Sequence, residues 1–227
     1  MKKLLFPLFS ILSLYTHSQD IKIKGLISPL CIFDDYSFPT IQHGFELRLT
    51  KRLALYSEAG IKFMKTSYEY SDTSFVKSKG YKLKTEIRYY VKNWNNQKGT
   101  NERGLFLGIN TFCIRHSFND LLYYTKDSDP DIGIPDSFSV LKHVWGANLV
   151  FGWQQVFIKH IVIESYGGFG LRRRKTENHN LQFNPSMDEI VHSIDPNYEV
   201  IMYSINSEAG IRSLFNFTAG FRMGYQF

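Results

Sequence analysis

Acidic and basic residues recur two positions apart in several short segments of the sequence. Glu46 lies two residues before Arg48, and Glu86 lies two residues before Arg88. Carboxylates and bases in a dry enclosure could perform acid–base chemistry, but charges that are removed from water must be paired in any case. The pattern therefore predicts a structural network of ion pairs, in which a change such as Glu86→Leu lowers stability more than activity. The predicted members are Glu46, Arg48, Glu58, Lys62, Glu86, Arg88, Glu164 and Arg222.

His116 and Ser117 could supply a base and a nucleophile, which must lie within hydrogen-bond reach of each other. Adjacent residues of a strand point to opposite faces of the sheet. If this segment is a strand, its two side chains cannot pair with each other. The two residues therefore predict no catalytic dyad of their own.

Oxygen-bearing residues run from Asp127 to Asp131 in the order Asp-Ser-Asp-Pro-Asp. Calcium loops alternate their ligands in a similar way, but they also need a glycine at the sharp turn and a closing bidentate glutamate. Both are missing here, whereas Asp and Pro are good turn formers. We interpret the segment as a solvated turn, and the sequence predicts no metal ion and no cofactor.

Four consecutive basic residues form the run Arg172, Arg173, Arg174 and Lys175. Arginine side chains bind phosphate through a planar fork of N–H donors. The run is interpreted either as a contact for lipopolysaccharide phosphates or as a plain solvated strand end. The net charge of +6 is mild, and no basic run is long enough to predict nucleic-acid binding.

Strands with a period of two must position these residues. From Phe215 to Phe227 every odd residue is apolar or aromatic, while every even residue is polar, charged or glycine. Such alternation is typical of a strand that lies between two different environments. The same pattern occurs clearly at 53–63, 81–91, 144–154 and 161–171, and less clearly at 21–32, 41–49 and 105–115.

The connections between these predicted strands alternate in length. The short turns are 50–52 and 158–160, and the long loops are 66–78, 118–140 and 175–198. The polar turn at 92–103 is longer than this alternation predicts. Residues 199–211 either extend the last strand or form a further hairpin. The sequence therefore predicts eight strands, with ten as the alternative.

Residues 1–18 are predicted to be a secretory signal peptide. Lys2 and Lys3 precede an apolar run at 4–15, and Thr16 and Ser18 are the small residues before a cleavage site at Gln19. The run is too short to cross a bilayer as a helix, and no later segment has 18 uninterrupted apolar residues. A retained N-terminal anchor is the alternative. The predicted mature domain is 19–227.

The predicted strands have apolar residues on the outward face and charged residues on the inward face. Aromatic residues make up 16% of the chain, and a mean hydropathy of −0.24 suits a membrane barrel as well as a soluble protein. In hydrocarbon every backbone N–H and C=O must be paired, so the sheet must close. The sequence predicts an all-β fold, a closed antiparallel up-and-down transmembrane β-barrel whose eight strands enclose a side-chain-filled interior. A soluble barrel around an apolar ligand would place its apolar faces inward.

Cys31 and Cys113 follow the predicted leader, and exported proteins often pair their cysteines. We place these two on the first and fifth predicted strands, facing lipid on opposite sides of the barrel. The sequence therefore predicts two unpaired, buried thiols rather than a disulfide.

Short glycine- and aromatic-rich motifs recur along the predicted barrel: GFELR at 44–48, GYKLKTEIRYY at 80–90, GLFLG at 104–108, YGGFG at 166–170 and GYQF at 224–227. They resemble a family of small outer-membrane barrels of unknown function that is common in Bacteroidetes-type bacteria. Segment 176–211 is longer than expected for that family. The resemblance implies a fold and an outer-membrane location, and it implies no activity.

The chain ends in an alternation of Phe221, Met223, Tyr225 and Phe227. This ending resembles the terminal strand by which outer-membrane proteins are recognised for assembly. The partners that the resemblance implies are outer-membrane lipid, lipopolysaccharide and the barrel assembly machinery. We expect a monomer that binds no nucleic acid.

The sequence favours a non-enzymatic integral outer-membrane protein whose exposed loops serve surface interaction or envelope integrity. A lipid A-modifying enzyme is one alternative, since outer-membrane deacylases place a His, a Ser and an acidic residue at the lipid-facing outer end of a strand. His116 and Ser117 are the residues to compare with that trio. A narrow channel for small solutes is the other alternative.

Overall fold

The computed structural model describes residues 22–33, 40–62, 76–95, 102–126, 129–158, 160–190 and 207–227. The strands in these ranges are β1 (Ile23–Ile27), β2 (Thr40–Arg48), β3 (Leu53–Lys62), β4 (Val76–Asn95), β5 (Glu102–Lys126), β6 (Asp129–Phe157), β7 (Ile161–His179), β8 (Asp188–Ile190) and β9 (Gly210–Gln226). A 3₁₀ helix at Pro29–Phe33 follows β1. Within the described ranges, no helix is long and apolar enough to cross a membrane.

Eight of these strands form a closed antiparallel ring in up-and-down order. Strands β1 to β7 pair in sequence, and β9 pairs with both β7 and β1. The three-residue strand β8 pairs with the far end of β5 and lies outside the ring. The prediction of a closed, all-β, eight-stranded barrel is confirmed, and the ten-stranded alternative is wrong.

The register of the ring is staggered. Ile27 of β1 pairs directly with Met223 of β9. Following the paired residues from Ile27 the other way round, through β2 to β7, leads to Ser213 of β9, ten residues earlier. A stagger of this kind tilts the strands against the barrel axis and lets the sheet close without a free edge.

Burial alternates along every strand of the ring, with even-numbered residues inward and odd-numbered residues outward. The outward residues include Phe217, which is 80% exposed, and Ile109, which is 59% exposed, whereas the inward Arg88 and Glu164 are fully buried. The outward apolar residues form a continuous band, here called the apolar outer wall. One row of it comprises Leu55, Ile87, Ile109, Leu149, Phe169 and Phe217.

The two ends of the barrel differ. At the turn end, residues 49–52 join β2 to β3, and Thr50 Oγ1 closes this turn by accepting the backbone N–H of Leu53 at 2.9 Å. Residues 158–160 join β6 to β7 at the same end. At the opposite end, here called the hairpin end, β5 and β6 run on together well beyond the apolar outer wall.

The predicted loop at 118–140 is wrong, because β5 and β6 form a paired hairpin through most of it. In this extension the apolar residues point inward instead of outward. Its buried cluster comprises Phe118, Leu122, Tyr124, Phe138, Val140 and Phe183. The period of two therefore continues along β5 and β6, but with the apolar residues on the inward face. A search for outward apolar residues does not detect these parts of the two strands.

Two other predicted loops are partly strand. Strand β4 begins at Val76, inside the predicted loop 66–78, and β7 continues to His179, inside the predicted loop 175–198. The predicted loop 175–198 also contains β8. Residues 63–75 and 191–206, like the predicted leader 1–18, lie outside the described residues.

The predicted turn at 92–103 is also largely strand. Strand β4 reaches Asn95 and β5 starts at Glu102, and the two pair past a register shift between Tyr90 and Lys92. Residues 96–101 lie outside the described residues. This connection is longer than predicted because β4 and β5 continue as a hairpin past the turn end of the ring.

The first predicted strand, 21–32, is too long. Strand β1 ends at Ile27, and the chain then enters the 3₁₀ helix at Pro29, which has no backbone N–H to offer a sheet. Cys31 lies on this helix and is half-buried, so its placement on the outward face of a strand is wrong. Cys113 lies outward on β5 and is exposed. These two described cysteines form no disulfide, as predicted, but neither is buried.

Candidate functional site

The interior near the turn end holds a network of ion pairs, here called the ionic network. Every member occupies an even position of a ring strand and therefore points to the barrel axis. All are buried except Lys84, which is 19% exposed. The four carboxylates and four cations of the network are Glu46, Glu58, Glu86 and Glu164, and Lys24, Lys84, Arg88 and Arg222.

Arg88 is the centre of the ionic network. Its Nη1 donates to Glu46 at 2.6 Å and to Glu164 at 2.8 Å, while its Nη2 donates to Glu164 at 3.0 Å. Its Nε donates to Glu86 at 2.9 Å. One guanidinium group thus ties three carboxylates from three different strands together, and charge-assisted bonds of this kind are the strongest in proteins.

Arg222 of β9 forms a second centre beside it. Its Nη1 donates to Glu164 at 2.5 Å and its Nε donates to Glu58 at 3.1 Å. The ring of Tyr56 lies 4.3 Å from the Arg222 guanidinium carbon and 4.2 Å from that of Arg88. A single tyrosine ring therefore adds cation–π contact to both arginines.

Neutral polar groups complete the network. Tyr90 Oη donates to Glu46 at 2.9 Å, and Tyr56 Oη donates to Glu58 at 2.5 Å. Gln154 Nε2 donates to Glu164 at 2.8 Å, while its Oε1 accepts from Lys24. With hydrogen bonds on nearly every oxygen, the enclosed charges can stay ionised at a low energetic cost.

Most of the predicted network residues meet here, but two do not. Arg48 lies at the turn end, with its guanidinium carbon 4.4 Å from the Tyr90 ring centre, and its charge acts on Glu46 without a direct ion pair. Lys62 lies near the hairpin end of β3, far from the other predicted members. Lys24 and Lys84 belong to the network although they were absent from the prediction. The spacing of Lys84 and Glu86 places both on one face of β4, so the sequence could have indicated Lys84 as a member. Strand β1 has only five residues, too few for an alternation that would have indicated Lys24.

A layer of three asparagines lies beyond the ionic network. Asn216 Nδ2 donates to Asn148 at 2.8 Å, and Asn148 Nδ2 donates to Asn110 at 3.4 Å. Gly170 makes room for this layer, since a Cβ there would lie 2.7 Å from Asn148 Oδ1 and 1.9 Å from the backbone oxygen of Ala147. The ionic network, the asparagine layer and inward apolar side chains such as Phe106 and Val150 together occupy the interior through the height of the apolar outer wall.

Basic residues gather inside the barrel beyond the asparagine layer, at the level where the apolar outer wall ends. Outward neighbours there include the polar Arg115 and Ser117 as well as the exposed apolar Ile61 and Ile211. We call this group the basic vestibule. It comprises Lys62 of β3, Lys82 of β4, His116 of β5, Lys142 of β6, Arg174 of β7 and Arg212 of β9.

His116 and Ser117 point to opposite faces, with His116 buried inside the vestibule and Ser117 exposed outside. The hydroxyl that meets His116 is Ser78 Oγ of β4, at 2.7 Å from Nε2. Burial, and then repulsion from Lys142, Lys62 and Lys82, lowers the pKa of His116 to about 3. An imidazole with so low a pKa is a poor general base near neutral pH. The geometry therefore does not favour nucleophilic catalysis at this pair.

The predicted lipopolysaccharide-contact residues lie on β7, at the edge of the apolar outer wall. Arg172, Arg173 and Lys175 are exposed and Arg174 is half-buried. The Arg173 guanidinium carbon lies 5.9 Å from the Trp145 ring centre. Below it is a hollow of about 690 Å³, whose lining includes Thr111, Trp145, Ala147, Leu171, Arg173 and Phe215.

Of the predicted assembly residues, Phe221, Met223 and Tyr225 lie at outward positions of β9, and Phe227, directly after the strand, is tied into the ring. The backbone N–H of Phe227 donates to the oxygen of Ile23 at 3.0 Å. The Tyr225 ring stacks on His160 with a centre distance of 5.0 Å. The terminal residues thus form part of the seam between β9 and β1.

Only part of segment 127–131, which we interpreted as a solvated turn rather than a calcium loop, lies within the described residues. Residues 129–131 belong to β6, and Asp127 and Ser128 lie outside the described residues. In the described part of the chain, no group of three or more His, Cys, Asp or Glu residues could hold a metal ion.

The enclosed position of Lys142 predicts that the free energy of unfolding rises as the pH increases above about 7. Burial, and then repulsion from Arg174, lowers the pKa of Lys142 from 10.5 to about 7. Between about pH 7 and pH 10 the unfolded chain therefore binds more protons than the folded chain, so that the free energy of unfolding should rise with pH. Urea unfolding across this range measures the slope.

The matched variant is Lys142→Gln, which should flatten this part of the curve relative to the wild type. Lys79→Gln changes an exposed, outward lysine of β4 and should leave the slope unaltered. Equal slopes for the wild type and Lys142→Gln would contradict the enclosed position of Lys142.

Fold and interior together define a class of protein: a small closed antiparallel barrel with an apolar outer wall and a paired ionic core. The chain belongs to the family described as a protein of unknown function (DUF3575), which matches residues 5–198. Strand β9, which closes the ring, lies beyond the matched residues. Comparison with curated proteins and with solved structures gave no match. The expectation that the chain belongs to a family without an assigned function is thus confirmed.

Proposed function

We propose that the chain is a non-enzymatic integral outer-membrane β-barrel, exported by its leader, whose hairpin end serves surface interaction or envelope integrity. The observation that carries this proposal is the polarity of the two faces. Leu171 is 63% exposed and Phe217 is 80% exposed, while Arg88 and Glu46 are fully buried. Contiguous apolar surfaces of this extent are rare on soluble monomers but are required against acyl chains.

The proposed partners fit the geometry of the ends. Arg173 and the hollow below it could seat a lipid phosphate above an acyl chain, as a contact with lipopolysaccharide requires. The outward, exposed aromatic residues Tyr225 and Phe227 are suited to recognition by the barrel assembly machinery. A monomer is sufficient for both interactions.

The rival functions find less support. A lipid A-modifying enzyme of the deacylase type would need its base on the outer wall, whereas His116 is enclosed and its hydroxyl partner is Ser78. A channel would need an open path, whereas Arg88 and its three carboxylates cross the axis. We therefore expect no lipid A mass change in expressing cells and no conductance in planar bilayers.

Cell fractionation with gel mobility tests the location. In cells that express the full chain, the protein should be recovered with outer-membrane markers and should migrate differently before and after boiling in detergent. Removal of residues 1–18 should leave it in the cytoplasm and unfolded. Recovery of the wild type as a folded protein in the soluble periplasmic fraction would overturn the proposal.

A further inference from the structure

The apolar outer wall is interrupted by the hollow beside Arg173, here called the wall hollow. Two small outward residues in its lining, Thr111 of β5 and Ala147 of β6, are direct partners in the sheet. Large apolar side chains line it beside them, and of these Leu171 is 63% and Phe215 is 69% exposed. The wall hollow is therefore an apolar depression that is open to whatever surrounds the barrel.

The wall hollow is wide. Its lining comes from the four neighbouring strands β5, β6, β7 and β9. At the usual strand spacing the backbones of the two outermost strands lie about 14 Å apart. The volume of about 690 Å³ also lies within the range of roughly 300–1,000 Å³ that is usual for small-molecule sites. A single extended acyl chain is narrower than this depression, so a lipid with several acyl chains fills it better.

Basic side chains follow the edge of the wall hollow that faces the hairpin end. Arg173 of β7 lines the hollow, with its guanidinium carbon 5.9 Å from the Trp145 ring centre. One row further along the strands, His143 of β6 pairs with Arg115 of β5 on one side and with Lys175 of β7 on the other. Arg115, Arg173 and Lys175 are all exposed at outward positions.

These three outward cations exceed the acidic side chains beside them. Lys175 pairs with Glu177, and this pair is itself largely exposed. In the described part of the chain, Arg115 and Arg173 form no ion pair. A solvated arginine needs no partner in water, but at the end of an apolar wall in lipid it would face phosphate groups, which a guanidinium binds through two N–H donors.

The spacing of the cations favours two phosphate groups over one. Arg115 and Lys175 lie on strands that are separated by β6, so their backbones are about 10 Å apart. A phosphate that is held by Arg173 and Lys175 on β7 leaves Arg115 on the far side of His143. A second phosphate on the same headgroup can pair with Arg115 there.

We propose that the wall hollow, together with Arg115, Arg173 and Lys175, is a binding site for one molecule of lipid A, a sugar lipid with several acyl chains and two phosphate groups. The acyl chains lie against Leu171 and Phe215, and the phosphates lie on the three cations. This site rests on the proposed outer-membrane location, and it narrows the contact with lipopolysaccharide to a defined place that holds one lipid per chain. Arg174 occupies an inward position of β7 and is not part of the site.

Native mass spectrometry of the folded mature chain in detergent micelles tests this site with lipid A that carries two phosphates. The wild type should retain one lipid per chain. Arg173→Gln should weaken binding roughly 10–100-fold, because a charge-assisted contact is lost. Ala147→Leu should weaken it roughly tenfold or more, because the larger side chain fills part of the hollow. Both residues are exposed, so both variants should fold, and a shift in gel mobility on boiling verifies this.

Two matched controls separate the site from general effects. Ala219→Leu makes the same change at an exposed, outward position of β9 that does not line the hollow, and Arg52→Gln removes one exposed arginine at the turn end. Both should bind lipid A as the wild type does. Lipid A with one phosphate should bind the wild type roughly tenfold more weakly than the form with two.

Phosphatidylglycerol, with two acyl chains and one phosphate, distinguishes the kinds of lipid. Binding as tight as that of lipid A, with the same loss in Arg173→Gln, would identify a phospholipid site and overturn the assignment to lipid A. Undiminished lipid A binding in both Arg173→Gln and Ala147→Leu would overturn the site itself. Because the assay uses the purified chain in micelles, either failure would leave the outer-membrane location intact, which cell fractionation tests separately.

Discussion

Arg88→Met should lower the free energy of unfolding by about 3–5 kcal/mol, the cost expected when one partner of a buried ionic cluster is removed. Methionine fills much of the same space, so the loss arises from charge rather than from a cavity. Glu46, Glu86 and Glu164 would each lose a donor within 3.0 Å while remaining buried. Urea unfolding of the barrel in detergent micelles measures the change.

The controls for Arg88→Met separate charge from general damage. Arg52→Met alters an exposed arginine of the turn end and should change stability by no more than about 0.5 kcal/mol. Adding Glu164→Gln to Arg88→Met should recover part of the loss, since one unpaired carboxylate is neutralised. Glu86→Leu should be milder than Arg88→Met, because Glu86 Oε2 has no hydrogen-bond donor. An Arg88→Met barrel as stable as the wild type would contradict the network.

Leu149→Arg should impair folding into lipid vesicles by about 2–4 kcal/mol, the cost of an arginine at the middle of a bilayer on the lipid face of a barrel. Leu149 lies midway between the outward Trp145 and Trp153 on β6, and tryptophans of this kind favour the two membrane interfaces. Leu149 is already 55% exposed, so a water-soluble barrel would tolerate its replacement by arginine with little effect.

Ser117→Arg is the matched control for Leu149→Arg. Ser117 is also outward and exposed, but it lies on β5 beyond the apolar outer wall. Its replacement should leave the yield of folded protein in vesicles close to that of the wild type. Equal behaviour of the two variants would show that the outer wall does not meet hydrocarbon.

The outer wall and the type of fold could be predicted because a period of two needs only local sequence. Phe217, Leu149 and Ile109 each lie among odd apolar residues, so their common face follows without knowledge of the pairing. Glu86 and Arg88 likewise share a face by their spacing alone. The number of ring strands followed in the same way.

The partners inside the barrel could not be predicted, because they depend on the stagger of the closed ring. Arg88 meets Glu164 across 76 positions of sequence, and nothing local to either residue indicates the other. Lys62 has the same alternation as Glu58, yet it lies at the hairpin end, away from the ionic network. The reversed alternation around Phe118 and Phe138 escaped detection because the inside of a barrel changes from ionic to apolar along its axis.

The fluorescence of Trp145 measures directly which medium the outer wall meets. In a variant with Trp94→Phe and Trp153→Phe, Trp145 is the single tryptophan, outward and 42% exposed on β6. In vesicles, phospholipids with brominated acyl chains should quench it strongly, and aqueous iodide should not. Quenching by iodide alone, in a folded chain that ignores the vesicles, would mean that the apolar residues of this barrel face water.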